Sequence, residues 1–391
     1  MRRLVATTIL TLVTVACLAG TAHAGRRVLF TPSLHLGATY NDDVQYLGKG
    51  DMEFTANPRL KLEIDSERTQ HTITANLTRY KYGDIAELDR TETDITLDTI
   101  YAATERLTLS SNVSYSTDYT LGKSEEELGI VADKVRRGSL SLGGRAAYML
   151  TERTQVGLSF NHFDRQYAEE YVDSSGNTLS GDISWAATER LTLLGSLTTS
   201  EYDSQFNDGG TGNFNSYGGS VGFDYQLTEI WGLTGSYGHQ WYTNKLDTGG
   251  IDRTISEDGS TFELGVDWEY ERSKGHLKYG RDTTSGLTGS TLDRDRLEFY
   301  HQYETTERSL LELRASMTQT ESDGVLSTSK SRNLNYGASW WYDMTEDHRF
   351  WIGWSHSTNE NLINNKDRDR NSYFVRFDFT FPDEWTLGGA R

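Results

Sequence analysis

Along nearly the whole chain, apolar and polar residues change places at every step. Met52, Phe54, Ala56, Pro58, Leu60, Leu62 and Ile64 share one parity, and Glu53, Thr55, Asn57, Arg59, Lys61 and Glu63 share the other, a two-residue period held over 13 positions. The same alternation sets Tyr373, Val375, Phe377, Phe379 and Phe381 against Phe374, Arg376, Asp378 and Thr380. It also sets Phe262, Leu264, Val266, Trp268 and Tyr270 against Glu263, Gly265, Asp267 and Glu269, and Leu334, Tyr336, Ala338, Trp340 and Tyr342 against Asn335, Gly337, Ser339 and Trp341. These are strands with one dry face and one wet face.

Between the strands, short and long connections alternate. The short ones carry a recurring Thr-Glu pair at Thr104, Thr151, Thr188, Thr228, Thr306 and Thr345, joined by Ser66-Glu67-Arg68 and Glu271-Arg272-Ser273. From position 66 through 104, 151, 188 and 228 the intervals are 38, 47, 37 and 40 residues, each holding two strands and one longer loop. The long connections, rich in Asp, Glu, Asn, Gly and Ser, are read at 41–50, 83–91, 120–137, 164–177, 203–215, 243–259, 283–292, 320–331 and 358–370. Eight short turns and nine loops make 18 strands, an even number that leaves both ends of the sheet on one side.

The dry face needs a solvent. A Lys or Arg on a lipid-facing position at mid-bilayer costs roughly 2–4 kcal/mol, so the apolar face is assigned to lipid and the charged face to a lumen. Unpaired backbone groups in hydrocarbon cost several kcal/mol each, so such a sheet must close on itself. The expected fold is an all-β, transmembrane, antiparallel up-and-down barrel of about 18 strands in a bacterial outer membrane, with short periplasmic turns and longer extracellular loops. Lipid, lipopolysaccharide and the barrel-assembly machinery are its implied partners. Aromatics fall where two interfacial belts belong: Tyr101, Tyr148, Trp185, Trp231, Tyr270, Tyr303 and Tyr342 at the short-turn end, and Tyr40, Tyr115, Phe160, Tyr237 and Trp354 toward the loops. A soluble propeller, the competing all-β reading, needs neither belts nor unequal loops. Arg79 and Lys81, in register with Ile73, Ala75 and Leu77, are read as snorkelling near the outer interface or as a bulge.

Composition narrows this further. There are 37 Gly, 22 Tyr and 9 Trp beside only 3 Pro, with a mean hydropathy of −0.62. Beyond the first residues no stretch is apolar enough for a membrane helix, and a disordered chain would lack both the aromatics and the alternation. Residues 1–24 read as a cleavable secretory signal: Arg2 and Arg3, an apolar run from Leu4 to Leu18, then Ala22-His23-Ala24. A lipoprotein signal ending at Cys17 competes, with Thr14 where such signals carry a leucine-like residue. With cleavage after Ala24, the barrel domain is 25–391 and holds no cysteine, so no disulfide and no thiolate site.

Parity sorts the charges. Glu53, Glu63, Asp94, Asp98, Asp182, Asp224, Glu263, Asp267, Glu269, Glu298, Glu312 and Asp378 are assigned to the lumen, against Arg59, Lys61, Arg145, Lys278, Arg296, Arg314 and Arg376. Together with a net charge of −19, this wall should favour cations and neutral or aminated solutes over polyanions. Read one by one, the same charges simply hydrate the lumen and pair across strands. Tyr80, Tyr82, Tyr300 and Trp341 are inward aromatics. The loop 120–137, with Glu125, Glu126, Glu127, Lys134, Arg136 and Arg137, is the candidate constriction, its alternative a solvated surface loop.

Catalysis finds little to work with. The histidines are scattered singly, and no metal motif, cofactor or Cys nucleophile is indicated. His162 with Asp164, or His239, could be imagined at a rim, and Asn41, Asp42 and Asp43 lack the spacing of a calcium loop. Gly218-Gly219-Ser220-Val221-Gly222 runs into a strand, not a helix, and is no nucleotide loop. The acidic balance argues against nucleic acid.

Pro32-Ser33-Leu34-His35-Leu36 running into Tyr40-Asn41-Asp42-Asp43-Val44, followed by hairpins with Thr-Glu-Arg turns and Leu-Thr-Leu, resembles the β-barrel porins associated with exopolysaccharide gene clusters and exosortase systems. The resemblance spans most of the chain. It implies an outer-membrane conduit for a secreted polysaccharide working with a periplasmic export protein, and it carries over no individual functional residue. A nutrient or cation-preferring porin, and a structural or adhesive barrel, are the alternatives.

Overall fold

The computed structural model describes residues 27–120, 134–168, 172–205, 209–248, 251–285, 291–323, 328–363 and 366–381. The signal reading of residues 1–24 and the acidic part of loop 120–137 lie outside them. Eighteen strands follow in chain order. They are β1 (Arg27–Asn41), β2 (Asp51–Asp65), β3 (Thr69–Tyr82), β4 (Arg90–Ala102), β5 (Leu107–Tyr119), β6 (Arg136–Thr151), β7 (Thr154–Tyr167), β8 (Asp173–Ala186) and β9 (Leu191–Gln205). The second half holds β10 (Thr211–Gln226), β11 (Trp231–Thr248), β12 (Ile251–Tyr270), β13 (Ser273–Ser285), β14 (Thr291–Thr306), β15 (Ser309–Asp323), β16 (Thr328–Asp343), β17 (His348–Asn361) and β18 (Lys366–Thr380). Each pairs antiparallel with its sequence neighbours, and β1 pairs with β18 from Ser33↔Thr380 to Asn41↔Ser372. The sheet is therefore a closed ring without a free edge, the condition hydrocarbon imposes.

The short turns explain the repeated threonine. In each, the Thr side chain turns back and accepts backbone N–H groups that the hairpin leaves over. Thr104 Oγ1 accepts from Arg106 (3.2 Å) and Leu107 (2.9 Å), Thr188 from Arg190 (3.2 Å) and Leu191 (3.0 Å), and Thr228 from Ile230 (3.2 Å) and Trp231 (3.1 Å). Thr151, Thr306 and Thr345 do the same for Arg153, Arg308 and Asp347.

At the opposite end, strands run farther than the hydrophobic pattern suggests. The segments read as loops at 164–177, 203–215 and 243–259 are largely ladder: β7 continues to Tyr167, β9 to Gln205, and β11 and β12 pair until Thr248↔Ile251. Above the membrane a strand has no apolar face to show, so alternation fades while the backbone hydrogen bonds continue. At Arg79 and Lys81 the register of β2 with β3 is unshifted from Ala56↔Arg79 to Arg59↔Asn76, which removes the bulge reading. Both sit near the end of β3, where Arg79 reaches Thr91 Oγ1 at 2.8 Å and lies 3.9 Å from Asp89.

Two faces result. Large apolar residues of one parity are open to the surroundings, Leu197 at 73% and Val221 at 66% among them, with the belt aromatics Tyr101, Tyr148, Trp185, Trp231, Tyr270 and Tyr303. The other face is concave, since one cavity touches side chains of seven consecutive strands, from His35 on β1 to Arg165 on β7. A band of exposed apolar side chains around a closed ring is an outer-membrane surface.

Candidate functional site

By cross-strand register the charged positions sorted by parity share one face of the sheet with the cavity-lining residues, and many of them are paired there. Arg145 makes a two-pronged contact with Asp182 (2.6 and 2.7 Å). Lys61 pairs with Glu63 at 2.9 Å, Arg314 with Glu312 at 2.8 Å, and Arg296 lies between Asp282 (2.9 Å) and Glu298 (3.6 Å). Asn76 donates to Asp94 at 3.1 Å and Asn112 to Asp98 at 2.6 Å. Asp378 gathers Arg376 (2.9 Å), His35 Nδ1 (2.7 Å) and Trp351 Nε1 (2.7 Å). At that same periplasmic end Arg349 lies 3.8 Å over Trp341, Arg376 lies 4.3 Å over Trp351, and the two indoles are 5.7 Å apart.

Pairing leaves some of the charges over. No ion pair is formed among the described residues by Asp224, Glu263, Asp267 or Glu269 on β10 and β12. Nor is one formed by Arg59 on β2 or Arg165 on β7. Lys278 on β13, opposite Glu298, forms none either, and Asp94 and Asp98 on β4 have amide rather than cationic partners, so unpaired groups of both signs are spread along the wall.

Several wall residues escaped the sequence reading because they fell inside or just before segments taken as loops. Arg90 packs under Tyr80, 3.8 Å from its ring, donates to Glu92 at 3.0 Å and to Tyr82 Oη at 3.1 Å, and lies 3.9 Å from Glu53. Arg137 and Asp118 form a buried two-pronged pair (2.9 and 3.0 Å). Phe163, Tyr202, Phe214 and Tyr242 make an arc of rings along the inner face of β7–β11, with centroid spacings of 5.5, 5.4 and 5.8 Å. Gly176 on β8 permits it, because a Cβ there would overlap both Phe163 and Tyr202. Continuing the two-residue period a few positions past 163 and 202 finds both Arg165 and the arc.

The first two loops pack against the inward face of β3. A 3₁₀ turn at Val44–Tyr46 and another at Ala86–Leu88 press Val44, Ile85 and Leu88 onto Tyr82, an inward-facing residue, to form a buried apolar cluster. These side chains hide from water against one another and the Tyr82 ring. Asp51 anchors the second loop by accepting N–H groups of Asp84 (3.0 Å) and Ile85 (2.9 Å). Lys134 ties in the third loop through the Asp89 carbonyl at 2.8 Å, and burial and the nearby Arg90 charge hold its pKa below the usual lysine range. Asp42 joins the first loop to β18, accepting from the backbone and side chain of Asn371 (both 2.7 Å). Burial pushes its pKa up, but these hydrogen bonds win and hold it below the usual value of 3.8. Of the four inward aromatics, Tyr82 is covered by this tuck, while Tyr300 bonds Glu312 at 3.1 Å and stacks on His276. Among the described residues, then, loops 42–50 and 83–89 pack inward against Tyr82, and Lys134 in the described part of loop 120–137 is tied to the second of them.

The rim candidates for catalysis are held in plain contacts. His162 Nδ1 lies 2.9 Å from Asn177 Oδ1, and His239 pairs with Asp258 at 3.1 Å on the outer face beside Trp241. Among the described residues no group of three His, Cys, Asp or Glu is placed to hold a metal, and Asp42 and Asp43 spend their oxygens on Asn371 and the Gly48 N–H.

No protein-family model matches the sequence, and no curated protein matches it. Solved structures do. The FrpB iron transporter from Neisseria meningitidis superposes with a TM-score of 0.51 at 11% identity, over 88% of this chain and 63% of that one. The fold is that of an outer-membrane barrel. Pseudomonas aeruginosa OpdK, solved with vanillate, matches with a TM-score of 0.48 at 10% identity over 90% of this chain and 99% of its own. Acinetobacter baumannii OccAB3 matches with 0.47 at 12%, again over 90% and 99%.

Proposed function

We propose that the barrel is a passive diffusion channel of the outer membrane, delivered there by cleavage of residues 1–24. The observation that carries this is the continuous polar lining of a closed 18-stranded ring, a size that leaves an aqueous passage when nothing fills it. Charges paired along the wall keep it wet without binding any one ion tightly, and the excess of acids over bases among the positions assigned to it gives it a preference for cations. The purified barrel in planar bilayers is expected to open in discrete steps without any partner protein, with a reversal potential in a KCl gradient displaced toward potassium. A barrel that stays closed, or one that prefers chloride, contradicts the reading.

Export of a secreted polysaccharide, with a periplasmic export protein as partner, is the narrower form that the resemblance implies. Rings at both ends of the lumen support it: Trp341 and Trp351 below, and Phe163, Tyr202, Phe214 and Tyr242 above. In the arc, however, Tyr202, Phe214 and Tyr242 are nearly parallel and turn their faces toward one another, offering edges to a passing sugar. Unchanged surface polysaccharide after deletion of the gene would remove this form and leave the channel standing.

A further inference from the structure

The cavity on the inner face of β1–β7 holds about 550 Å³, within the range of small-molecule sites. Its origin is a difference in side-chain length. Cross-strand register lines up Arg59, Asn76, Asp94, Ser116, Ser139 and Arg165 in one row over β2–β7. Ser114 and Ser141 lie alongside. Four serines on β5 and β6 are short, whereas the residues at both ends of the row are long, so the wall recedes between two arginines. No large apolar side chain lines the recess.

The charges at this recess are unequal in availability. Arg137 is spent on Asp118 and Glu92 on Arg90. Asp94 accepts from Asn76 and from Thr96 (3.4 Å), which leaves room on its oxygens for further donors. Among the described residues Arg59 has no acidic partner, and Arg165 has none either, lying over the ring of Phe163 at 5.1 Å. A site with hydroxyls as its floor, one carboxylate with spare acceptor capacity, and two free guanidinium groups at its flanks is complementary to a polyol that carries one carboxylate. The solute's acid meets an arginine, its hydroxyls donate to Asp94, and the serines serve either role.

We infer that the recess is a binding station for small sugar acids, a local anion site in a wall that otherwise prefers cations; it rests on the reading of the barrel as a channel. The full-length barrel in planar bilayers, exposed to D-glucuronate at millimolar concentration, should show concentration-dependent interruption of its current. D-glucose, which lacks the carboxylate, and acetate, which lacks the hydroxyls, should each act roughly tenfold more weakly, the effect of one charge-assisted contact. In Arg59→Gln and Arg165→Gln the ratio of glucuronate to glucose block should fall by about the same factor. In Ser116→Gln, which fills the floor, it should fall to one. Glucuronate acting no more strongly than glucose, or a ratio indifferent to both arginines, overturns the inference while an open current preserves the channel. If no current is seen, equilibrium dialysis of D-glucuronate against the same barrel still decides: retention lost in Arg165→Gln supports the station, and no retention ends it.

Discussion

At the scale of single residues, the parity of a position decides its environment, and with it the cost of a charge. Leu197 and Ser196 are neighbours on β9. The first is open to lipid, and the second bonds Ser220 across the inner wall at 2.7 Å. Leu197→Arg is expected to destabilise the inserted barrel by roughly 2–4 kcal/mol, whereas Ser196→Arg should cost less than about 1 kcal/mol. Guanidinium titration of reversible insertion into lipid vesicles checks the pair, and equal costs would mean the two faces are not what they are described to be. Parity was legible in the sequence: cross-strand register puts Glu53, Arg145, Asp182, Glu312 and Asp378 on one face of the sheet. Their partners were not legible. Period two says which face Arg145 is on, but only register says that Asp182, two strands away, comes within reach, with Gly157 between them supplying no side chain to intervene.

At the scale of elements, the short turns and the long connections behave differently. Thr104, Thr188 and Thr228 mark hairpin ends because a local hydrogen bond holds them, so local sequence reveals them. Nothing local marks where β7, β9 or β11 stops, because the hydrophobic signal ends at the membrane surface and the ladder does not. That is why Arg165 and Phe214, both wall residues, were read as loop. The tuck of the first two loops was equally hidden, since it depends on Val44 meeting Tyr82, residues brought together only by the pairing of β1, β2 and β3. Val44 is 1% exposed. Val44→Asp should put an unpaired charge into that cluster and free the first loop, raising single-channel conductance while the thermal transition of the barrel stays put, because the ladder of β1 and β2 is untouched. Unaltered conductance would show that the tuck does not limit the passage.

At the scale of the whole molecule, closure links all of these. An alternating ribbon in lipid has nowhere to leave an edge, and pairing of β1 with β18 answers that need. The strand number came from counting turns, so even a likeness of only 11% identity to a solved barrel meets an expectation already in place. What passes through the ring is a property of side chains that the architecture does not dictate.

Closure and the two-faced wall can be tested together at the seam. Cys17 is the only cysteine, so Cys17→Ser gives a clean background for single cysteines at each position from Tyr373 to Phe379 on β18. In vesicles, a bimane label at 373, 375, 377 and 379 should be quenched by nitroxide lipid. Cysteines at 374, 376 and 378 should instead react with a charged, membrane-impermeant maleimide. Strict alternation is the expected result; uniform reactivity along the strand, or alternation in the opposite phase, would contradict a closed barrel with lipid outside and water within.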